Sequence, residues 1–392
     1  MKILVVCQNY YPEQFRITDI CEELVKRGNE VSVLTGFPNY PKGKIYDGYR
    51  HGKNRDQVIN GVKIHRCFTI ARRSGALFRF LNYYSFAISS KRYAKQIKEK
   101  YDVVFVNQLS PVMMANAGIA YKNKHNTKLV LYCLDLWPES LIAGGIKRGS
   151  FIYRHYHKVS ERIYKQCDKI LITSKSFFDY FRDEFGIVDT LYLSQYAEDI
   201  FTPEQCKKES NEFIDIMFAG NIGVIQNVET VIEAAKIMRD MSNLRLHIVG
   251  DGSELENVKK SAEYLSNVFF YGKQPLEAMP KFYAMADAMI VSMKKDSVIS
   301  YTLPGKVQTY MAAGKPIIGA IDGETQKIIS EAECGVCGPS EDAEQLAENI
   351  RKFIDCRNKE SMSENSYRYY LEHFSKQNFF EKLNNVLERN VC

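Results

Sequence analysis

The hydrophobic positions of the chain form short apolar runs that alternate with amphipathic stretches. Apolar runs of about four to eight residues are typical of buried strands, whereas recurrence at every third or fourth position indicates helices. The first runs predict a strand at Ile3–Cys7, a helix at Ile17–Lys26 that ends at Arg27-Gly28, and a strand at Glu30–Thr35. This order predicts a β-α-β unit with parallel strands.

The same alternation of strands and helices continues along the chain and is interrupted once, by a loop. Three further strands are predicted at Val103–Asn107, Leu129–Leu134 and Lys169–Thr173. The helices beside them are predicted at Pro111–Lys122, Ser150–Cys167 and Ser176–Glu184. The loop Gln195–Asn211, which carries Pro203 and charges of both signs, then separates two halves of the chain.

The second half repeats the alternation of strands and helices. Its predicted strands are Ile214–Ala219, Leu244–Val249, Val268–Tyr271, Ala288–Val291 and Pro316–Ala320. Its predicted helices are Asn227–Arg239, Glu254–Leu265, Leu276–Met285, Gly305–Ala313, Thr325–Ala332 and Glu341–Asp355. Two doubly wound parallel sheets of the α/β class are the simplest architecture for this order. Ligands of such sheets bind beyond the carboxyl ends of the strands, so two facing domains would define one cleft.

The length of 392 residues favours two or three hydrophobic cores, at about 100–200 residues per domain. We assign residues 1–196 to an N-terminal domain and residues 212–372 to a C-terminal domain. Residues 373–392 are assigned to a closing helix, within which the stretch Ser375–Asn390 has a periodic apolar pattern. The apolar residues of that pattern are Phe379, Phe380, Leu383, Val386 and Leu387.

Composition excludes several classes of protein. No run of 18 apolar residues occurs and 26% of the residues are charged, which predicts a soluble globular protein rather than a membrane-spanning one. The apolar start of the chain is too short for a signal-peptide core, so we expect a cytoplasmic protein. Ten scattered cysteines are interpreted as reduced thiols. The lone pair Cys334 and Cys337 lacks the further ligands that a zinc site requires, and we predict no metal and no other cofactor.

The positive charge of the chain is concentrated in one segment. Residues 61–100 contain ten Lys or Arg residues and one Glu, although the whole chain has a net charge of only +6. Aromatic residues alternate with these charges, and Leu77, Leu81, Tyr84 and Ile88 recur at helical spacing. This pattern suits an anionic membrane surface, and it also suits a half-buried helix with a solvated basic face. No nucleic-acid-binding module is visible, so nucleic acid is not an expected partner.

Three turns carry residues suited to binding a phosphate. Gly220-Asn221-Ile222-Gly223 and Gly250-Asp251-Gly252 each follow a predicted strand and precede a helix, where glycines let backbone amides approach an anion. Leu303-Pro304-Gly305-Lys306 begins a third helix, and a lysine in a first turn is electrostatically unfavourable unless an anion neutralises it. Ordinary glycine turns and a solvated lysine are the alternatives.

Seven motifs, in this order, carry a resemblance to a known family. They are Tyr10-Tyr11-Pro12-Glu13, Arg27-Gly28-Asn29-Glu30-Val31, Pro38-Asn39-Tyr40-Pro41, Asp135-Leu136-Trp137-Pro138-Glu139, Gly220-Asn221-Ile222-Gly223, Val249-Gly250-Asp251-Gly252 and Ala312-Ala313-Gly314-Lys315-Pro316. The chain resembles glycosyltransferase family 4 over nearly its whole length, and within it the branch that serves bacterial O-antigen, capsule and exopolysaccharide synthesis.

This resemblance implies a GT-B fold and a metal-independent retaining glycosyltransferase. The implied donor is a nucleotide sugar, which we expect to be a UDP-linked N-acetylated hexosamine held by the C-terminal domain. The implied acceptor is an undecaprenyl-diphosphate-linked saccharide on the N-terminal side, at the inner face of the cell membrane. Residues 61–100 would then face that membrane, the protein would be peripheral, and the closing helix would cross back onto the N-terminal domain.

The chain departs from the family pattern at charged positions. Two glutamates that family members commonly carry are replaced by Tyr301 and Thr309, and the usual Arg and Lys after the first glycine turn by Asn221 and Gln226. We therefore assign the diphosphate charge to Lys306 and Arg16. The expected substrate-binding residues are Arg16, Gly220, Asn221, Gly223, Gln226, Gly250, Gly252, Gly272, Leu303, Pro304, Gly305, Lys306 and Thr309.

Two carboxylates are expected to take part in the reaction. Asp135 follows a predicted strand, where it could orient the acceptor hydroxyl, and a helix N-cap is its alternative role. Glu324 follows the strand Pro316–Ala320 and could hold ribose or sugar hydroxyls. Two other functions remain open, namely a UDP-sugar 2-epimerase of the same fold and a non-catalytic, membrane-associated partner of a polysaccharide synthase. A nicotinamide-dependent dehydrogenase is disfavoured because no G-x-G-x-x-G follows the first strand.

Overall fold

Two parallel β-sheets organise the chain in a computed structural model that describes residues 1–142, 145–296 and 298–389. The chain divides into two compact units. The first unit contains residues 1–173, 178–193 and 383–389, and the second contains residues 174–177 and 194–382. No helix among the described residues is both long enough and apolar enough to span a bilayer.

The first sheet has eight strands in the order β3-β4-β2-β1-β5-β6-β7-β8. The strands are β1 (Lys2–Val6), β2 (Glu30–Gly36), β3 (Asp56–Ile59), β4 (Val62–Cys67), β5 (Val103–Gln108), β6 (Lys128–Cys133), β7 (Lys169–Ile172) and β8 (Thr190–Tyr192). Every neighbouring pair is parallel except β3 and β4, which form an antiparallel edge. The strand order reverses between β1 and β5, which is where such sheets bind ligands.

Five α-helices of the described residues accompany this sheet. They are α1 (Arg16–Lys26), α2 (Ala76–Ala94), α3 (Asn116–His125), α4 (Phe151–Tyr164) and α5 (Phe177–Phe185). Short 3-10 helices lie at Asp47–Gly52, Val112–Ala115 and Glu139–Leu141. The apolar stripe of α1 is buried, as its helical periodicity predicts, and consists of Ile17, Ile20, Cys21 and Leu24.

The second sheet has six parallel strands in the order β11-β10-β9-β12-β13-β14. They are β9 (Ile214–Ala219), β10 (Leu244–Val249), β11 (Val268–Gly272), β12 (Ala288–Ser292), β13 (Ile317–Ala320) and β14 (Gly335–Gly338). The order reverses between β9 and β12, so the carboxyl end of β9 lies at the switch point of the second sheet.

Eight α-helices follow in the described part of the second half. They are α6 (Glu229–Ile237), α7 (Leu255–Ser261), α8 (Met279–Tyr283), α9 (Gly305–Ala312), α10 (Glu324–Glu331), α11 (Ala343–Asp355), α12 (Lys359–Tyr369) and α13 (Lys376–Arg389). Short 3-10 helices lie at Leu276–Ala278 and Ile299–Tyr301, and a π-helical segment at Tyr370–Phe374. The core of this unit includes side chains of β9, β10, α6 and α11, among them Ile216, Leu246, Val231 and Ile350.

The predicted α/β class with two doubly wound parallel sheets is confirmed, but several elements were not predicted. The strands β3, β8 and β14 have only three or four residues, few of them buried, and in β4 the apolar residues are interrupted by Lys63, His65 and Arg66, so none of these strands is a continuous apolar run. The predicted helix Glu254–Leu265 ends earlier, at Ser261. The predicted helix Ser375–Asn390 is observed as Lys376–Arg389, and Asn390 lies outside the described residues.

Candidate functional site

Two glycine turns of the second unit contact each other directly through their backbones. The Gly220 amide donates to the Val249 carbonyl and the Ile222 amide to the Asp251 carbonyl, each at 2.9 Å. A Cβ atom at Gly250 would lie 1.8 Å from the Gly220 oxygen, and one at Gly252 would lie 2.3 Å from the Ile222 oxygen. Glycine is therefore required at both positions for the two turns to approach.

Two of the amides that were expected to approach an anion donate to carbonyls of the chain itself. The Gly250 amide donates to the Gly272 carbonyl at 2.9 Å, and the Gly220 amide is already bonded within the sheet. Neither amide is therefore available to a bound anion in this conformation. Gly220, Gly250 and Gly272 shape the end of the sheet, and the charge that an anion requires must come from another group.

Asn221 and Gln226 form a polar cover over Gly223. The Asn221 Nδ2 atom donates to Gln226 Oε1 at 2.9 Å, and a Cβ atom at Gly223 would lie 2.7 Å from that Asn221 nitrogen. The structure thus brings together three of the expected substrate-binding residues. Both side chains are neutral, so they offer hydrogen bonds and no net charge.

Helix α9 begins beside these turns and leaves amide donors at its first turn. Pro304 is its N-cap residue, and the Val307 amide donates to the Pro304 carbonyl at 2.9 Å. The amides of Gly305 and Lys306 belong to the first turn, where no carbonyl of the helix itself can accept them. Leu303 is buried and Thr309 donates its hydroxyl to the Gly305 carbonyl, so both support the turn from inside.

The ammonium group of Lys306 is the most unusual feature of this site. Its Nζ atom is buried and has no hydrogen-bond partner among the described residues. It lies 3.7 Å from the centroid of the Phe218 ring, and a Cβ atom at Gly220 would lie 2.9 Å from it. Burial lowers the pKa of this ammonium group to about 7. A buried cation without a counter-ion is costly, which points to an anionic ligand.

The Glu324 carboxylate accepts hydrogen bonds from the chain itself, whereas it was expected to hold ribose or sugar hydroxyls. It is the first residue of α10 and is buried. Its Oε1 atom accepts a hydrogen bond from the Lys175 amide at 3.1 Å, and its Oε2 atom accepts one from the Ser176 hydroxyl at 2.7 Å. The carboxylate thus anchors residues 174–177, and a role in holding sugar hydroxyls would require one of these bonds to be exchanged.

Asp135 lies in the first unit, just after β6. Its Oδ2 atom accepts hydrogen bonds from the Ser110 amide at 3.0 Å and from the Ser110 hydroxyl at 3.1 Å. The next helical turn, at Glu139–Leu141, has Pro138 at its N-cap, so Asp135 is not the helix cap considered as an alternative. Burial raises the pKa of the Asp135 carboxyl, although the Ser110 hydrogen bonds and the charge of Arg72 partly oppose this.

Arg16 also belongs to the first unit, where it begins α1. Its positive charge opposes the burial that raises the pKa of the Tyr132 phenol. The expected diphosphate ligands therefore lie in different units, with Lys306 in the second and Arg16 in the first.

A cavity of about 940 Å³ occupies the first unit and contains Asp135 and Ser110 in its wall. Most of the wall consists of aromatic and aliphatic side chains, including those of Tyr83, Phe80 and Phe151. Ser110, Phe151 and Ile152 line this cavity but were not among the residues predicted from the sequence. The signal in the sequence was the apolar pair Phe151-Ile152 directly after Ser150, in a helix that otherwise exposes polar residues.

Models of two known protein families match this chain. Residues 14–191 match the family described as Glycosyltransferase Family 4, and residues 202–369 match the one described as Glycosyl transferases group 1. The matched ranges contain the candidate residues of the first and second units, respectively.

Two curated proteins resemble this chain in sequence. A probable glycosyltransferase, WbjE of Pseudomonas aeruginosa, is 26% identical over 58% of this chain and 60% of that protein, so less than two thirds of WbjE is matched. WcaI of Escherichia coli strain K12, described as a putative colanic acid biosynthesis glycosyl transferase, is 24% identical over 90% of this chain and 92% of that protein.

The crystal structure of HepE from Anabaena in complex with UDP-glucose has the same fold. It matches with a TM-score of 0.71 and 13% identity over 99% of this chain and 100% of that one. At this identity the match shows the fold alone, which is the GT-B fold.

Proposed function

Since this chain is a glycosyltransferase with a Family 4 domain followed by a group 1 domain, we propose that it transfers a sugar from a UDP-linked donor to a lipid-linked saccharide. The sugar we propose is an N-acetylated hexosamine, and the acceptor is linked to undecaprenyl diphosphate. The product would be an intermediate of a bacterial surface polysaccharide such as O-antigen or capsule.

The observation that carries this proposal is the buried, unpartnered ammonium group of Lys306. It lies at the carboxyl end of β9 and at the start of α9, where the first-turn amides add favourable positive potential. A nucleoside diphosphate carries the negative charge that this arrangement lacks. The support for UDP is the UDP-glucose complex of HepE, and the support for polysaccharide synthesis is the description of WcaI.

The proposed reaction proceeds with retention and without a nucleophile from the protein. The bond between the anomeric carbon and the diphosphate oxygen breaks, and a bond to the acceptor oxygen forms on the same face of the sugar. The acceptor proton passes to the departing diphosphate. Lys306 and the first-turn amides of α9 stabilise the charge on that diphosphate, and Asp135 orients the acceptor hydroxyl.

We also propose that the chain binds the cytoplasmic face of the cell membrane as a peripheral protein through residues 61–100. Several apolar side chains of this segment are exposed, namely Phe68, Leu77, Phe80 and Ile88. The last turn of α2 adds the basic residues Lys91 and Arg92. Apolar side chains beside basic ones favour the interface of an anionic bilayer.

Isothermal titration calorimetry of UDP against the Lys306→Ala variant tests the proposal. We expect the affinity to fall by about tenfold or more, because a charge-assisted contact to the diphosphate is lost. Lys327→Ala is the matched control, because Lys327 is an exposed lysine of α10 in the same unit. Equal UDP affinities in wild type and Lys306→Ala would refute the phosphate role.

Two further measurements separate the proposed reaction from its alternatives. Transfer is expected to be fully retained in EDTA, and a loss that Mg²⁺ or Mn²⁺ restores would contradict metal independence. NMR of the donor alone distinguishes a 2-epimerase, which would convert the UDP-sugar in the absence of an acceptor. A chain that binds no nucleotide at all would instead be a non-catalytic partner.

A further inference from the structure

The cavity of the first unit is lined by two chemically different groups of side chains. The polar group includes Asp135 and Ser110, together with Arg72, whose charge acts on the Asp135 carboxyl. The apolar group comes from α2 and α4 and includes Leu77 and Phe151. These two helices are joined by a hydrogen bond of 2.9 Å between the hydroxyls of Tyr84 and Tyr156. The cavity wall is therefore amphipathic.

Arg72 is held in place in the cavity wall. Its guanidinium carbon lies 5.9 Å from the centroid of the Tyr40 ring and 5.6 Å from that of Tyr83, within the range of cation–π contacts. Its backbone amide donates to Asn39 Oδ1 at 2.8 Å. Glu13 in turn accepts hydrogen bonds from the amides of Asn39 and Tyr40, at 2.7 and 2.6 Å. Two of the motifs that carried the family resemblance thus hold this arginine.

Arg72 acts on the Asp135 carboxyl of the same cavity through its charge, but it forms no direct ion pair among the described residues. Within residues 1–142, 145–296 and 298–389, no carboxylate forms an ion pair with Arg72 or with Arg79, the second arginine of the cavity wall. The rings beside Arg72 fix the position of its guanidinium group and leave its N–H donors available to an anion. A planar guanidinium group binds phosphate oxygens in a bidentate manner.

The apolar side chains of the cavity wall are exposed to an unusual degree. Phe151 is 86% exposed and Leu77 is 66% exposed, although both line the cavity. Large apolar side chains that line a cavity and remain accessible to water mark a binding surface for an apolar ligand. A ligand that contacts both the polar and the apolar group must join an anionic group to a hydrocarbon chain.

We propose that this cavity binds the isoprenoid diphosphate part of the acceptor and that Arg72 is its specificity-determining anion contact. The diphosphate binds Arg72, and the first isoprene units lie along the apolar side chains of α2 and α4. The saccharide is then directed towards Asp135. The identity of the acceptor rests on the proposed function, but the shape and charge of the cavity are independent of the donor site.

Binding of farnesyl diphosphate to the full-length chain, in solution and without membranes, tests this inference. We expect calorimetry to show that farnesyl diphosphate binds at least tenfold more tightly than inorganic diphosphate or farnesol. Arg72→Ala should weaken its binding by about tenfold or more and leave the affinity for UDP unchanged. Arg73→Ala is the matched control, because Arg73 is the adjacent arginine but does not line the cavity.

A second pair of variants separates the two ligand sites. Phe151→Ser should weaken the binding of farnesyl diphosphate and leave the binding of inorganic diphosphate unchanged. Lys306→Ala should weaken only the binding of UDP. Loss of farnesyl diphosphate binding in Lys306→Ala would place that ligand in the donor site and overturn the inference. Equal binding of farnesyl diphosphate and inorganic diphosphate would also overturn it, while normal UDP binding in the same titrations would leave the proposed function intact. Thermal unfolding of each variant shows whether it is folded.

Discussion

The two units of this chain each leave a different kind of group unsatisfied. In the second unit, a cation is buried without a counter-ion beside the Phe218 ring. In the first unit, large apolar side chains such as Phe151 stay in contact with water at the edge of a cavity. Both arrangements are unfavourable in the ligand-free chain, and such local violations are concentrated at functional sites. The difference indicates that the second unit is built for an anion and the first for an amphiphile.

The largest loss of activity is expected from removing the buried ammonium group of Lys306. Lys306→Met should lower kcat/KM for transfer by about 100- to 1000-fold, because one preorganised contact to the departing diphosphate is lost. The same change should raise the melting temperature of the ligand-free chain, since it removes an uncompensated buried cation. Steady-state kinetics and thermal unfolding measure the two effects. A variant that loses both activity and stability would show that Lys306 is structural.

Removal of the Asp135 carboxylate tests the proposed role of the first unit in orienting the acceptor. Asp135→Ala should lower kcat by about 10- to 100-fold, because the acceptor hydroxyl is no longer oriented. The affinity for UDP, which is assigned to the second unit, should not change. Ser110→Ala retains the carboxylate and removes one of its hydrogen bonds, so a smaller loss of kcat is expected. A parallel loss of UDP affinity in Asp135→Ala would contradict the separation of the two sites.

The depressed pKa of Lys306 predicts that UDP binding depends on pH. The ammonium group of the ligand-free chain titrates near pH 7 instead of its ordinary value of 10.5, and a bound diphosphate favours the protonated form. UDP affinity should therefore fall by about tenfold per pH unit above pH 7. Calorimetry in buffers of different ionisation enthalpy should detect proton uptake on binding at pH 8, and none in Lys306→Met.

The lowered pKa of Lys306 also predicts how the stability of the ligand-free chain changes with pH. Below about pH 7 both the folded and the unfolded chain carry the proton, so the full cost of burying the charge is present. Between this value and 10.5 the unfolded chain binds more protons, and the contribution of Lys306 to stability becomes more favourable as the pH rises. Lys306→Met should therefore stabilise the ligand-free chain more at pH 6 than at pH 9.

Much of the fold could be predicted from the sequence because strand and helix periodicities differ. The strands Ile214–Ala219 and Leu244–Val249 have the predicted bounds, since apolar residues occupy alternate positions at the start of each strand and successive positions at its end. The strand β14 was missed because Gly335–Gly338 contains two glycines and only short apolar side chains. Its place in the sheet is determined by pairing with β13, which no local pattern reveals.

The residues of the candidate site could be predicted only where their role depends on neighbours in the sequence. Lys306 was singled out because a lysine in the first turn of a helix opposes the helix dipole. The burial of its ammonium group depends on Phe218 and Gly220, which lie about a quarter of the chain away in sequence. Glu324 was expected to bind sugar, but its partners Lys175 and Ser176 are likewise distant in sequence. Long-range partners of this kind have no signature in a single sequence.

The smallest effect is expected at the exposed apolar edge of the first unit. Phe68→Ser, in the segment 61–100, should reduce binding to anionic lipid vesicles several-fold, because partial insertion of this side chain contributes on the order of 1 kcal/mol. The melting temperature should change little, because the Phe68 side chain is already more than half exposed in the folded chain. Sedimentation with vesicles measures the first effect. Val188→Ser, which removes an exposed apolar side chain from another surface of the first unit, is the control and should bind as wild type does. Equal loss of vesicle binding in both variants would mean that exposed apolar area anywhere on the unit promotes binding, and the specific role of residues 61–100 would then be wrong.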